Sequence, residues 1–450
     1  MIKITKKNSL CKNLLFIYNI QTGQINLLLY LMCYFMDKCR YIELFAGVGG
    51  FHIGLDRADK DFYKCVMANQ WEPGAKDQFA ADIYRKRFPD DLLINDDICK
   101  VSGKDLETDM IVSGFPCQNY SVCVNKSKSL GIEGKKGVLW WENIRLISEM
   151  KEKPKFLLFE NVDRMIISPA GQRGRDFALI LQSLINLGYD LEWRIINAAE
   201  YGMPQKRKRI FIFAFQRGVF DVSTPDDWIY SDGILAKSFP VKKPEDLGLW
   251  GLDGRKLSSD LVYLSDNFNN GNILDHPFEN AGVVIDGLVY TTKVEPDYSG
   301  PFTTLGDILA KGDDRKLITE DYYLSNEDME KWMYAKGPKQ FERVSKEGYT
   351  YKYSEGAMPF PDHLDRPART LITSEVTIVS NRFTHIIEDP ETHKLRRLIP
   401  LELERIQMFP DNHTEGTTDK KRGFLMGNAL VCGIVERIGN ELKKRIWQPI

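Results

Sequence analysis

Between Arg40 and Phe215, short apolar runs alternate with amphipathic or loop stretches. The runs are Tyr41–Phe45, Lys64–Ala68, Leu92–Ile94, Asp109–Ser113, Phe156–Phe159, Leu191–Ile196 and Arg209–Phe215. Most are bounded by Gly, Pro, Asp or Asn, which is how short buried strands between helices read. Such alternation predicts an α/β domain built on a parallel sheet with helices on both faces. The last run, Ile-Phe-Ile-Phe-Ala-Phe, is apolar at every position, as a strand covered on both faces has to be. After Gln216 the pattern changes. Residues 217–360 carry frequent Gly, Pro, Asn and Asp with short, poorly periodic apolar runs, which predicts a smaller, irregular strand-and-loop domain. Helical spacing returns at 400–409 and at Ala429–Lys444. The chain thus divides into an extension (1–35), an α/β domain (36–215) completed by 426–450, a second domain (216–365) and a connecting segment (366–425).

Composition narrows the setting without naming a task. With 43% apolar and 28% charged residues and a formal charge of −2, the chain reads as an ordinary soluble protein. It has no bulk attraction to nucleic acid, so any such binding must come from local basic clusters. Eight cysteines are scattered without a CxxC pair, and the six histidines show no metal-ligand spacing. The expectation is no zinc site, no disulfide framework and a reducing cytoplasm. Ile25–Met36 is an apolar run of 12 residues, short of the roughly 20 that a membrane span needs. Residues 1–35 read as an added helix or a mis-assigned start, with Met36 as the working start and no membrane anchor.

Candidate chemistry gathers at the strand ends. Phe45-Ala46-Gly47-Val48-Gly49-Gly50 lies between the first strand and a helix beginning near Phe51. Glycines there let a ligand approach the backbone and helix N-terminus, although GxGG is not the dinucleotide GxGxxG fingerprint and alone is a weak signal. The next strands end in Gln70-Trp71-Glu72 and Asp96-Asp97-Ile98. In a parallel sheet these ends share the carboxyl edge, where Trp71 offers a face and Asp97 a carboxylate suited to an adenosine group. Gly114-Phe115-Pro116-Cys117-Gln118 ends the fourth strand and places Cys117 as a candidate thiolate nucleophile. A loop over 119–137 with four lysines and three glycines could close over a phosphate backbone. Glu160 ends the fifth strand. In Gln205-Lys206-Arg207-Lys208-Arg209, extended chain puts Gln205, Arg207 and Arg209 on one face and both lysines on the other.

Taken together and in this order, these segments resemble the DNA cytosine-5 methyltransferase family, over Tyr41–Phe215 and Asp365–Leu442. The matching motifs are ELFAGVGGF, the Asp97-Ile98 pair, GFPCQ, FENV, the QKRKR run, RPARTL (Arg366–Leu371) and GNALV (Gly427–Val431). The resemblance implies an S-adenosylmethionine-dependent, Rossmann-like methyltransferase fold, with the region between Arg217 and Asp365 as the variable target-recognition domain. It implies that Cys117 adds to carbon 6 of the target cytosine, that Glu160 protonates or hydrogen-bonds ring nitrogen 3, and that Arg207 and Arg209 hold the carbonyl edge and nearby charges. Phe45, Gly47, Gly49, Gln70, Trp71, Asp97, Ile98, Leu139 and Asn428 match positions that surround S-adenosyl-L-methionine, and Ser121 matches a phosphate-contacting serine. The base must leave the duplex for a thiolate to reach its ring face, as methyltransferases of this class require. Two departures stand out: Gln70 replaces the family's usual glutamate at the ribose, and Glu375-Val376-Thr377 lacks expected glycines.

The implied partners are double-stranded DNA and, in a bacterial restriction–modification system, a cognate restriction endonuclease, with the protein a monomer. A tRNA cytosine-5 methyltransferase and a non-catalytic DNA-binding relative are the alternatives. The large 217–365 insert and the absence of a CFT-type signature argue against the first, and the intact Cys117, Glu160, Arg207 and Arg209 against the second. Lys331–Lys352 holds six basic residues against two acids, with Tyr349, Tyr351 and Tyr353 alternating. Lys339 and Arg343 are therefore candidate DNA contacts, phosphates first.

Overall fold

A computed structural model of the 450-residue chain describes residues 38–116, 139–245, 254–344 and 348–446. Extension 1–35, Cys117 and Ser121 lie outside the described residues. The first half folds as β1 (Cys39–Leu44), α1 (Gly50–Asp59), β2 (Tyr63–Asn69), α2 (Phe79–Arg87), β3 (Leu93–Ile94), β4 (Met110–Ser113), α3 (Leu139–Glu149), β5 (Phe156–Val162), α4 (Arg175–Asn186), β6 (Tyr189–Asn197) and β7 (Lys208–Gln216). Every apolar run named above falls on one of these strands, to within one or two residues at most ends.

β7 shows why such runs must be strands. Phe211, Phe213 and Phe215 enter one core cluster, and Ile210, Ile212 and Ala214 enter the cluster on the opposite face. A period of two buries both sets only if both faces are covered. α1 and a C-terminal helix cover one face, and α3 and α4 cover the other. The fold is thus the α/β sheet with helices on both faces that the alternation predicts. It is parallel across β3-β2-β1-β4-β5, and β7 then runs antiparallel between β5 and β6.

The segment after Gln216 is less separate than its texture suggests. It adds β8 (Val241–Lys242), β9 (Arg255–Lys256), β10 (Ala281–Ile285), β11 (Leu288–Thr292) and β12 (Glu295–Pro296). β10 pairs with β6, and β11 and β9 follow, so the large sheet reaches ten strands; β8 and β12 pair with each other. Trp228, Ile234, Leu235 and Phe239 are buried in the same core. Helix α5 (Asn326–Lys336), β13 (Lys339–Val344), β14 (Thr350–Glu355), β15 (Ile386–Glu388), β16 (Leu395–Arg397), α6 (Pro400–Ile406), α7 (Asp419–Asn428) and α8 (Cys432–Ile446) complete the chain. A further core joins Leu305, Leu371, Ile387, Leu398 and Met426 to Val48 and Ile53 of the α1 region and to Ala80 and Ile83 of α2. This second layer is therefore fastened to the helix that follows the glycine turn. Among the described residues no helix is long and apolar enough to cross a membrane.

Candidate active site

At the carboxyl edge of the sheet lies a cleft of about 610 Å³. Its walls come chiefly from six sequence-distant segments: Phe45–Val48 with Gly50 and Phe51, Gln70–Pro73, Gly114–Pro116, Glu160–Val162, Arg207 with Arg209, and Gly427–Leu430 with Phe424 and Leu425. Of the residues expected at a cofactor, Phe45, Gly47, Gln70, Trp71 and Asn428 line it, as do Glu160, Arg207 and Arg209 of the expected catalytic set. Gly114, Phe115 and Pro116 line it too, and Cys117 follows them in sequence.

The glycine turn is held by contacts that explain its composition. Phe45 sits at φ 55°, a conformation costly for a bulky side chain and found where function over-determines the backbone. Gly49 caps α1 at φ 86°, and a Cβ there would fall 2.3 Å from the Phe88 ring, so only glycine fits. Gly49 is thus demanded by the turn and does not line the cleft. The Gly47 N–H donates to Gln70 Oε1 at 2.8 Å, so Gln70 ties the turn to the end of β2. Asp97, Ile98 and Leu139 are not among the lining residues. The Asp97 carboxylate accepts from the Cys99 N–H at 3.0 Å, Ile98 is buried in the core, and Leu139 packs against that same core.

The catalytic candidates form an ion-paired group. Arg209 Nε lies 3.0 Å from Glu160 Oε1 across the β5–β7 pair. Burial pushes the Glu160 carboxyl above the usual carboxylate range, while Arg209 and Arg207 pull against it. Burial and then the Arg209 charge bring Arg207 down to about 9, which Glu160 opposes. Arg207 donates to the carbonyls of Leu371 (3.4 Å) and Gly427 (3.1 Å), and its Nε is buried with no hydrogen bond. The other Glu160 oxygen, Oε2, lies 3.7 Å from where a Cβ on Gly114 would be, beside the turn that leads to Cys117. As the period of two requires, Gln205 and Arg207 are buried while Lys206 and Lys208 are exposed.

Several supporting residues escape motif reading. Asn161 donates to the Phe115 carbonyl at 2.9 Å and so ties β5 to the Gly114–Pro116 turn; its place in FENV was the available signal. Gln205 accepts from Leu371 N–H (3.0 Å) and donates to Gln407 (3.0 Å), whose own amide donates to the carbonyls of Met426 and Ala429. Three of the family-like motifs are thereby stitched into one wall. A Cβ at Gly427 would fall 2.5 Å from the Thr373 backbone nitrogen, which is why GNALV begins with glycine. In the stretch lacking glycines, the buried Glu375 carboxylate accepts from Ile372 N–H (3.1 Å) and His385 N–H (2.9 Å) and orders the loop instead.

Lys339 and Arg343 stand away from the cleft on the β13–β14 hairpin. Cross-strand pairing puts Lys339, Phe341, Arg343, Tyr351 and Tyr353 on one face. Arg343 lies 3.9 Å from the Tyr353 ring centre and 4.9 Å from that of Phe341, a cation–π arrangement, and Phe341, Tyr349 and Tyr351 are exposed.

The sequence profile of the C-5 cytosine-specific DNA methylase family matches residues 39–444. The chain is 42% identical over 417 residues to the Type II methyltransferase M.Sau3AI of Staphylococcus aureus, covering 91% of this chain and 96% of that protein. It is 32% identical over 178 residues to the Type II methyltransferase M.HhaI of Haemophilus parahaemolyticus, covering 39% of this chain and 49% of that protein. Among solved structures, the S. pombe Dnmt2 methyltransferase superposes with a TM-score of 0.55 at 16% identity, covering 91% of this chain and 99% of that one. This last likeness bears on the fold alone. A match spanning nearly the whole chain, with its motif residues drawn from distant segments into one cleft, makes the protein a member of the C-5 cytosine-specific DNA methylase family and a DNA cytosine-5 methyltransferase.

Proposed function

We propose that the protein methylates carbon 5 of a flipped-out cytosine within a specific double-stranded DNA sequence, using S-adenosyl-L-methionine, as the modifying half of a restriction–modification system. The observation that carries this reading is the Glu160–Arg209–Arg207 group on the same cleft as the glycine turn and the Gly114–Pro116 segment. The cofactor fits the residues present: the Trp71 ring, the Gln70 amide and Asn428 face one space, and nothing lies within 4 Å of a Cβ placed on Gly47. When bound, the cofactor supplies an electrophilic methyl group.

This chain's residues then have three tasks. The Cys117 thiolate adds to ring carbon 6, forming a carbon–sulfur bond and moving electron density to carbon 5. Glu160, whose affinity for a proton burial increases, donates a proton to ring nitrogen 3, where the withdrawn electrons collect. Arg209 fixes the Glu160 carboxyl, and Arg207 presents positive charge to the base edge. After transfer, the carbon-5 proton passes to solvent, its electrons re-form the 5,6 double bond and expel the thiolate, and the proton on ring nitrogen 3 returns to Glu160. The hairpin face bearing Lys339 and Arg343 supplies phosphate contacts, and the relatives' Type II designation supports the restriction–modification setting.

Transfer of labelled methyl from S-adenosyl-L-methionine to duplex DNA, compared with tRNA, tests the reading. Wild type should label duplex DNA at one recurring sequence, and Cys117→Ser should abolish labelling. Duplex carrying 5-fluorocytosine should trap the wild type covalently, since fluorine cannot leave as a proton does. Near-normal turnover by Cys117→Ser would refute it.

A further inference from the structure

A second concavity, of about 220 Å³, opens beside α1 and shares no lining residue with the cleft. Three ligand-type side chains from three elements meet there: His52 of α1, Cys65 of β2 and Asp91 after α2. An imidazole nitrogen, the Cys65 sulfur and an Asp91 oxygen all lie within 4.8 Å of one another. No spacing in the sequence announces this set, because topology alone brings it together; the expectation of no zinc site rested on spacing.

The orientation of His52 favours ligation. Its Nε2 is committed to Asp56 Oδ2 at 3.3 Å, while Nδ1 faces Asp91 Oδ2 at 3.1 Å and the Tyr84 hydroxyl at 3.2 Å. A carboxylate on the far nitrogen is the arrangement that orients metal-ligating histidines. The Phe88 ring, stacked on the imidazole with centres 3.8 Å apart, fixes its plane.

The charges around it are paired through the imidazole alone. Asp91 Oδ2, on a side chain only 5% exposed, has His52 Nδ1 at 3.1 Å as its ion-pair partner. The fully buried Glu43 accepts from Tyr84 at 3.2 Å through one oxygen and interacts with the backbone N–H groups of His52 and Phe51. The Tyr84 hydroxyl lies 3.7 Å from the Cys65 sulfur, so Glu43 reaches the cluster through Tyr84. Arg87, which also lines the concavity, is turned to the carbonyls of Asn412 and His413; Lys60 and Lys64 are exposed on the rim. Glu43, Asp56 and Asp91 thus share a single imidazole, so a further cation has charge there to neutralise.

We propose that His52, Cys65 and Asp91 bind one zinc-class divalent cation, with water from the concavity in the fourth position. One nitrogen, one sulfur and one carboxylate oxygen form a tetrahedral ligand set, and a thiolate selects transition metals over magnesium or calcium. His52 Nδ1 and Asp91 Oδ2, 3.1 Å apart, already stand near the separation that bonds of roughly 2.0–2.2 Å require, and the Cys65 sulfur closes on them from within 4.8 Å. The ion would clamp the start of α1, just after the glycine turn, to β2 and to the end of α2. It is a structural clamp, separate from the chemistry in the cleft.

The test is titration of the chelator-treated full-length protein with Co²⁺ alone. One equivalent should bind and give a sulfur-to-cobalt charge-transfer band, with proton release as imidazole and thiol deprotonate. Cys65→Ala should lose the band, and Asp91→Asn should keep it with affinity at least tenfold weaker. Near-ultraviolet circular dichroism of both variants checks that they fold. Should Cys65→Ala not fold, Asp91→Asn decides alone. Absence of stoichiometric binding would mean that a proton on His52 does the ion's work, and the proposal falls. It falls equally if the band survives in Cys65→Ala or if Asp91→Asn binds as wild type does.

Discussion

Replacing Glu160 by glutamine is the sharpest probe of the cleft, because it keeps the shape of the side chain and removes only its charge and its titratable proton. In the wild type Oε1 accepts from Arg209 at 3.0 Å. At an effective dielectric of about 20, a pair at that distance is worth roughly 5–6 kcal/mol in gross attraction. Desolvation offsets most of this, so the stability lost should be about 1–3 kcal/mol. The catalytic loss should be larger. A positioned general acid contributes about 10²–10⁴-fold, and at about 1.4 kcal/mol per factor of ten this is roughly 3–5 kcal/mol of barrier. The assay is single-turnover methyl transfer to duplex DNA beside equilibrium binding of S-adenosyl-L-methionine. kcat should fall by that factor while cofactor affinity stays within about threefold, since Gln70 and Trp71 are untouched. A pH profile adds a second readout. Burial raises the Glu160 pKa, so the protonated form persists above the ordinary carboxylate range and wild-type activity should decline as pH rises through the raised value. Glutamine cannot titrate, and that limb should vanish. A folded variant with kcat within about threefold of wild type would refute the role.

Other perturbations separate the remaining claims. Gln70→Glu keeps an acceptor for the Gly47 N–H, 2.8 Å away in the wild type, and offers a charged second oxygen to the cleft; a gain of about 1 kcal/mol in S-adenosyl-L-methionine binding is expected by calorimetry, and equal or weaker binding would count against a ribose-facing position. Arg396→Met strips the buried Asp389 and Glu402 of bonds at 2.7 and 2.8 Å and should cost about 3–5 kcal/mol in urea unfolding. Although burial opposes it, hydrogen bonds from Arg315 and Arg396 hold Asp389 below the usual range; its contribution is present above an unfolded value of about 3.9 and lost as pH falls through the depressed folded one, so wild-type stability should drop below about pH 4 more steeply than the variant's. Joint replacement of Lys339 and Arg343 by alanine should weaken DNA binding and reduce its salt slope by up to about 1.8; an unchanged slope removes the hairpin from the interface.

How far sequence reaches into this fold follows from which contacts are local. Phe211, Phe213 and Phe215 declare a strand because their period of two is visible within six residues. Arg207 could be placed inward for the same reason. Contacts across large separations leave no such trace. Within the stretch whose apolar runs read as poorly periodic, Asp286 and Gly287 turn with φ of 51° and 77° between β10 and β11. Nothing local says that β10 pairs with β6 and continues the large sheet, so texture alone set that region apart. Asp97 and Ile98 show the converse: motif position put them at a ligand, yet Asp97 caps a helical turn and Ile98 fills the core. Buried polar residues are the least legible of all. His52, Cys65, Tyr84 and Asp91 each look like unremarkable members of their runs, and Glu43 stands out only as the first letter of ELFAGVGGF. Their meaning arises only when β1, α1, β2 and α2 close around them, because the cost of an unpaired buried oxygen is set by what the tertiary fold brings within about 3 Å. Motif order can therefore identify the family, while clusters assembled by tertiary contacts have to be found in the fold itself.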